Sequence, residues 1–425
     1  MSRAERQTNA ADLAVIKLPA GFLLGTATAS LQIEGGDRNN SWFRWCERGR
    51  IRDGSHCLRA CDHWNRFRQD IALQRDLGVN AYRMSLEWSR IEPREGTFDE
   101  DALARYREEI QALREAGIAP MVTLHHFSNP LWLEDSGGWT QRSIVDRFGR
   151  YTAKVVETLG DLVEHWITIN EPNVYLALGY LLGIWPPGRR SLRSFRRGAN
   201  NVVLAHQEAY RLIHAIGDAS GRPTQVGIAH HLRVFDPAGA ERRDKRTARR
   251  LERRFQDFFL DRTVPYSDFI GVNYYSRDMV AFSWNPLSGF ARRSVKESAV
   301  CNDLGWEIYP EGLYRVCTTL AERYTLPLYI TENGVADAGD TLRTRFIYDH
   351  LLQIARLLEA DVDLRGYFHW TLMDNFEWVE GESARFGLYD VDFDTQQRSL
   401  RDSGRFFAEI CAQNGITRQM IREYL

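Results

Sequence analysis

Two glutamates sit where a chain could cleave an acetal. Glu171 lies in Thr168-Ile169-Asn170-Glu171-Pro172, and Glu332 in Ile330-Thr331-Glu332-Asn333-Gly334. Each ends a β-branched run and is followed by residues that stop a strand, so each carboxylate is expected at a strand end rather than inside a wall. Taken singly, either reads as an ordinary surface or ion-paired acid. As a facing pair they are what glycosidic cleavage demands: one protonates the leaving oxygen while the other meets an oxocarbenium-like carbon. The surroundings agree, because several of the 12 Trp lie beside carboxylates or amides rather than in periodic stripes. Flat apolar rings next to hydrogen-bonding groups suit a sugar, which has C–H faces and hydroxyls.

The elements that must position these groups are legible as eight short apolar runs bounded by turn residues: 21–30, 79–88, 119–127, 165–171, 225–232, 268–275, 327–334 and 364–372. Between them lie stretches of helical periodicity. In Asp101 to Gly117, for example, an acidic start and a terminal glycine mark the ends. Alternation of this kind, with nearly continuous apolar strands, predicts an α/β fold: a single-domain (β/α)8 TIM barrel with long βα loops over residues 18–425, preceded by an extension at 1–17. In nearly every run the first residues are aliphatic and the last are polar or aromatic. Gln32 falls just past the first run, His125 in the third, Asn170 and Glu171 in the fourth, Asn273 and Tyr275 in the sixth, Glu332 in the seventh and Trp370 in the eighth. C-terminal strand ends of such a barrel converge on one mouth, so these residues are expected to line one pocket.

Composition excludes several other classes. With 55 basic and 57 acidic residues in 425, the net charge is −2, which argues against nucleic acid or another polyanion as partner. No apolar run approaches the roughly 20 residues of a membrane span, and no membrane partner is expected. The first residues build no secretory apolar core, so a cytoplasmic location is expected. Six cysteines are too sparse for a disulfide framework.

The sequence resembles family 1 of the glycoside hydrolases, the β-glucosidase and β-galactosidase family, from about Leu18 to about Ser403. The resemblance is carried by Phe22 to Gly35 (FLLGTATASLQIEG), by the TINEP and ITENG stretches, and by Asp374-Asn375-Phe376-Glu377-Trp378 followed by Arg385-Phe386-Gly387. It implies a retaining β-glycosidase that needs no cofactor and acts on small β-glucosides or oligosaccharides. Glu332 would be the nucleophile and Glu171 the acid and then the base, with their carboxyl groups about 5 to 5.5 Å apart. Tyr275 and Arg83 would hold Glu332 charged. Gln32, His125, Asn170, Asn273 and Glu377 would bind sugar hydroxyls, Trp370 would stack on the ring, and Trp378 and Phe386 would close the pocket. An acidic Glu377 favours an unphosphorylated sugar, and the presence of Glu171 favours O-glycosides. Transglycosylation is a different outcome of the same site, and an inactive sugar-binding barrel is the reading from another class. A homo-oligomer is compatible with the sequence.

Some residues depart from the family pattern. Leu31 stands where an aromatic is usual, His126 where Trp is common, and the stretch 235–267 is short and strongly basic around 241–246, as a solvated helix face would be. No metal site is expected: His56-Cys57 and Cys61-Asp62-His63 lack a ligand-pair spacing, and the pairs His125-His126 and His230-His231 sit among amides, which are poor metal ligands.

Overall fold

The computed structural model describes residues 13–285 and 290–425. Eight parallel strands close on themselves: β1 (Leu23–Ala27), β2 (Ala81–Ser85), β3 (Ala119–His125), β4 (His165–Asn170), β5 (Gln225–Pro237), β6 (Phe269–Phe282), β7 (Leu328–Asn333) and β8 (Leu364–Trp370). Each pairs with its sequence neighbour, β8 returns to β1 with Trp370 opposite Ala27, and the ring is complete. All five residues of β2 and all six of β7 are buried, as strands walled by helices outside and packed side chains inside must be.

A principal helix follows each strand: α1 (His63–Leu77), α2 (Glu100–Glu115), α3 (Ile144–Leu159), α4 (Leu192–Ala219), α5 (Arg242–Glu252), α6 (Glu311–Arg323), α7 (Arg343–Glu359) and α8 (Asp402–Gln413). The start of α2 shows the local logic. Asp99, just outside the helix, accepts from the Ala102 amide at 2.9 Å and satisfies one of the first-turn donors. The helix then stops before Gly117, whose φ of 76° suits glycine. No described helix is long and apolar enough to cross a membrane.

The structure corrects two boundaries. Residues 13–17 belong to the body rather than to an extension: Leu13 and Ile16 are buried, and Ile16–Lys17 pairs antiparallel with Gly415–Ile416. The rest of the proposed extension lies outside the described residues. Strands β5 and β6 run past Leu232 and Tyr275, staying paired as far as Pro237 opposite Val280. This arm takes on a further antiparallel strand, Ala291–Ser294. Phe235, Ala248 of α5, Val280 and Ala291 give it a small core of its own. The basic run at 241–246 falls at the start of α5 with most of its side chains exposed, as expected of a solvated face.

Candidate active site

Each catalytic candidate is positioned by a local device at the C-terminal end of its strand. Glu171 follows β4 with φ of 40°, a left-handed conformation costly for a non-glycine residue. Its amide is tied to the Ala229 carbonyl at 2.8 Å, and Pro172, which has no amide hydrogen to lose, opens the helix Pro172–Leu176. The chain therefore turns sharply and leaves the carboxylate at the mouth. Glu332 is the fifth residue of β7, two before Gly334. A Cβ at Gly334 would lie 1.8 Å from the Trp370 carbonyl oxygen, so only glycine lets β7 pass this close to the end of β8. Register shifts fall beside Asn170 in the β4–β5 pairing and beside Asn273 in the β6–β7 pairing. Such irregularities re-aim side chains at barrel rims.

A hydrogen-bond chain joins the two carboxylates. Fully buried Arg83 donates through Nη1 to Glu332 Oε1 at 2.5 Å and through Nη2 to Asn170 Oδ1 at 2.6 Å. Asn273 Nδ2 donates to the same Asn170 oxygen at 3.0 Å and to Glu171 Oε1 at 2.9 Å. Thr331 fixes the orientation of Asn273 by donating to its Oδ1 at 2.6 Å. Glu332 Oε2 accepts the Tyr275 hydroxyl at 2.7 Å, and His231 Nδ1 stands 3.0 Å from Glu171 Oε1. Glu332 thus has a guanidinium and a phenol, whereas Glu171 has an amide and an imidazole.

The electrostatics refine the sequence expectation. Arg83 and Tyr275 do favour the charged form of Glu332, but burial outweighs them and, with the charge of Glu171, lifts its carboxyl to about 7. Two acids sharing a dry site lose their second proton reluctantly. Of the two carboxyl groups, Glu332 is the one with a guanidinium directly on it. Burial and the neighbouring charge of Glu332 push the Tyr275 hydroxyl well above its usual range, so it remains a donor.

A second group of polar side chains at the mouth is organised around Glu377. Gln32 Nε2 donates to Asn375 Oδ1 at 2.8 Å and to Glu377 Oε2 at 3.0 Å, leaving Gln32 Oε1 buried with no partner among the described residues. Burial lifts Glu377 to about 8; hydrogen bonds from Gln32 and Trp370 oppose the rise, while the charges of Glu332 and Glu171 add to it. His125 Nε2 faces Asn129 Oδ1 at 2.9 Å and its Nδ1 is buried without a partner. Trp370, His126 and Trp378 form a row of nearly parallel rings, with His126 6.0 Å from Trp370 and 5.8 Å from Trp378. Trp370 therefore has one aromatic neighbour stacked on it within the pocket wall. Phe386 packs on Tyr275 and Trp306, each 6.3 Å away. Asp374, part of the motif grouped with the sugar clamp, instead holds the adjacent turn, accepting from the Gly387 amide at 2.8 Å and pairing with Arg401 at 2.6 Å.

Two residues at the site, His231 and Trp306, were given no role there by the sequence, and a third, His126, stood out only as a departure from the family pattern. His231, at the end of the fifth run, could have been found by the strand-end rule applied to the others. Trp306 lies in a loop with no such signal. His126 is assigned by its neighbours. Asn170 Oδ1 faces two donors, so its Nδ2 must point at His126 Nε2, 3.0 Å away. That nitrogen must accept, which puts the imidazole proton on Nδ1, a buried atom with no partner among the described residues. Burial and the charge of Arg83 hold His126 well below the usual histidine range, so it stays neutral.

A (β/α)8 barrel with paired carboxylates at the ends of its fourth and seventh strands, and amides and aromatics around them, defines a class: barrel hydrolases of glycosides. The Glycosyl hydrolase family 1 profile matches residues 15–265 and 265–416. Among curated proteins, Beta-glucosidase A of Thermotoga maritima is 35% identical over 452 residues, spanning 95% of this chain and 99% of the relative. A beta-glycosidase structure from Pyrococcus horikoshii superposes with TM-score 0.91 at 39% identity, covering 97% of this chain and 98% of that one. The T. maritima beta-glucosidase in complex with glucoimidazole gives TM-score 0.88 at 34% identity, covering 94% and 100%. The chain belongs to glycosyl hydrolase family 1.

Proposed function

We propose that this chain is a retaining β-glycosidase of the β-glucosidase type, with Glu332 as nucleophile and Glu171 as acid and then base. The observation that carries the assignment is the asymmetry of the hydrogen-bond chain: a guanidinium, Arg83, is on Glu332, whereas the Asn273 amide and the His231 imidazole meet Glu171. Glu332 attacks the anomeric carbon while Glu171 delivers its proton to the aglycone oxygen, giving a glycosyl ester and a free alcohol. Esterification removes the charge of Glu332, so Glu171 is then able to remain ionised and take a proton from water. That water attacks the same carbon from the opposite face of the ester, releasing sugar of retained configuration. An alcohol acceptor in place of water would give a transglycosylation product from the same intermediate.

The uncharged orphan groups around the glycone, Gln32 Oε1, His125 Nδ1 and His126 Nδ1, suit sugar hydroxyls. A phosphate dianion would have to share the pocket with the charges of Glu332 and Glu171, which reach Glu377, and this supports an unphosphorylated glycone. A cytoplasmic location is the accompanying reading of the N-terminal sequence.

The test is a 2-fluoro aryl β-glucoside, expected to add one glycosyl group to the peptide bearing Glu332. Glu332→Ala is expected to lose turnover by several orders of magnitude and to regain it with azide as an inverted glycosyl azide. Label on another residue, or an active Glu332→Ala, would overturn the assignment. Glu171→Ala is expected to slow substrates with poor leaving groups far more than activated aryl glycosides.

A further inference from the structure

The long loop after β1 gathers three donor side chains that the hydrolytic chemistry leaves unused. Cys46 is in the helix Ser41–Glu47, and Cys57 lies 11 residues further on, with the two sulfur atoms 3.7 Å apart and both residues buried. One ligand atom each from Cys46, His56 and Cys57 lies within 4.8 Å of the other two. The sequence pairs His56-Cys57 with Cys61 and His63, but the fold separates them. Cys61 Sγ is engaged by the Asp374 carbonyl at 3.1 Å, and His63 is clamped between Asp70 and Glu109, 2.8 Å from each.

The spacing has chemical content. Two thiolates on a tetrahedral zinc ion at about 2.3 Å each stand about 3.8 Å apart, close to the separation found, whereas a disulfide needs about 2.05 Å. The Leu58 amide donates to His56 Nδ1 at 3.0 Å, so that nitrogen carries no proton; Nε2 carries it and meets Glu47 Oε1 at 3.1 Å. A carboxylate on the outer nitrogen is the usual way a ligating imidazole is oriented. A cavity of about 430 Å³ is lined in part by His56 and Leu58, the two sequence neighbours of buried Cys57.

We propose that Cys46, His56 and Cys57 form a binding site for a thiophilic divalent ion of the zinc class, with water as the fourth ligand. One ion enters, two thiol protons leave, and His56 Nδ1 exchanges its contact with the Leu58 amide for the metal. The role is structural. The site ties the two ends of the Cys46–Cys57 segment, from which Arg52 pairs with Glu380 at 2.6 Å and Asp53 accepts from the Glu382 amide at 2.7 Å. Trp42, on the same helix as Cys46, packs 4.9 Å from Trp378. A bound ion would therefore brace the wall behind the glycone pocket without touching the reaction.

The test uses the full chain, reduced, stripped with a chelator and titrated with Co²⁺ and with Zn²⁺. The expected result is about one equivalent bound per chain, a thiolate-to-cobalt charge-transfer band, and a Tm raised by several degrees. Cys46→Ser and Cys57→Ser should each abolish the band, and His56→Ala, at a half-exposed position, should weaken binding by about tenfold or more. All three should still hydrolyse an aryl glucoside, which reports an intact fold. The proposal is overturned if the reduced wild type takes up no saturating equivalent, if the double variant Cys46→Ser/Cys57→Ser binds as well as wild type, or if peptide mapping of freshly purified protein shows Cys46 and Cys57 cross-linked.

Discussion

Replacing Tyr275 by Phe removes one atom from the site, the hydroxyl that donates to Glu332 Oε2 at 2.7 Å. The ring stacked near His231 at 6.0 Å stays, so packing is conserved and the change is electrostatic. A hydrogen bond from a neutral donor to a buried carboxylate is worth about 1.5 to 3 kcal/mol. At about 1.4 kcal/mol per unit, its loss should move the ionisation of Glu332 upward by about one to two units. The nucleophile must be charged to attack, so this ionisation forms the acid limb of kcat/KM. The sign follows: below the limb the variant should lose about ten- to a hundredfold relative to wild type, and the deficit should shrink as pH rises until the alkaline limb, where the acid loses its proton, takes over. The bell narrows from its acid side. The assay is kcat/KM for an aryl β-glucoside across the pH range, in wild type and Tyr275→Phe. A uniform loss at every pH, with the acid limb unmoved, would refute the reasoning and leave Tyr275 as a packing residue.

Two further outcomes follow from the same electrostatics. Burial lifts Glu377 from 4.5 to about 8, so between these values the unfolded chain has lost its proton while the folded chain keeps it, and stability falls as pH rises through that window. Glu377→Gln should remove this penalty, gaining up to about 4 to 5 kcal/mol by the upper end of the window while raising KM for an unphosphorylated glucoside. A Tm difference from wild type that is flat from about pH 5 to about pH 8 would contradict it. His126→Phe keeps a flat ring between Trp370 and Trp378 but deletes the Nδ1 donor and the acceptor of the Asn170 amide. An unsatisfied buried donor costs about 1 to 3 kcal/mol, so kcat/KM should fall about tenfold or more and the ranking of glucosides against galactosides should change. Unchanged kinetics on both would show that the ring only fills space.

Much of this protein is legible in one dimension because its signals are local. An apolar run followed by a stop residue reports a strand and its end, and eight such runs report a closed barrel. Glu171 before Pro172 and Glu332 before Asn333-Gly334 carry their own turns with them, and the glycine is required by a backbone contact that any side chain would violate. The type of residue at each strand end, and so the class of chemistry, follows from the sequence with no knowledge of distances.

What tertiary structure decided is which atoms face one another. Asn170 reads as a sugar ligand, yet its oxygen is taken by Arg83 and Asn273, 87 and 103 residues away, and that pairing alone fixes the proton on His126. The lengths of β5 and β6 depended on a small core assembled from α5 and a later strand. Cys57 found Cys46 rather than Cys61 because the loop after β1 folds back on its own helix. The ionisation of Glu332 had the same origin. Its two charge-stabilising partners could be named from the sequence, but desolvation depends on everything packed around a group, and only the closed barrel mouth shows that burial prevails.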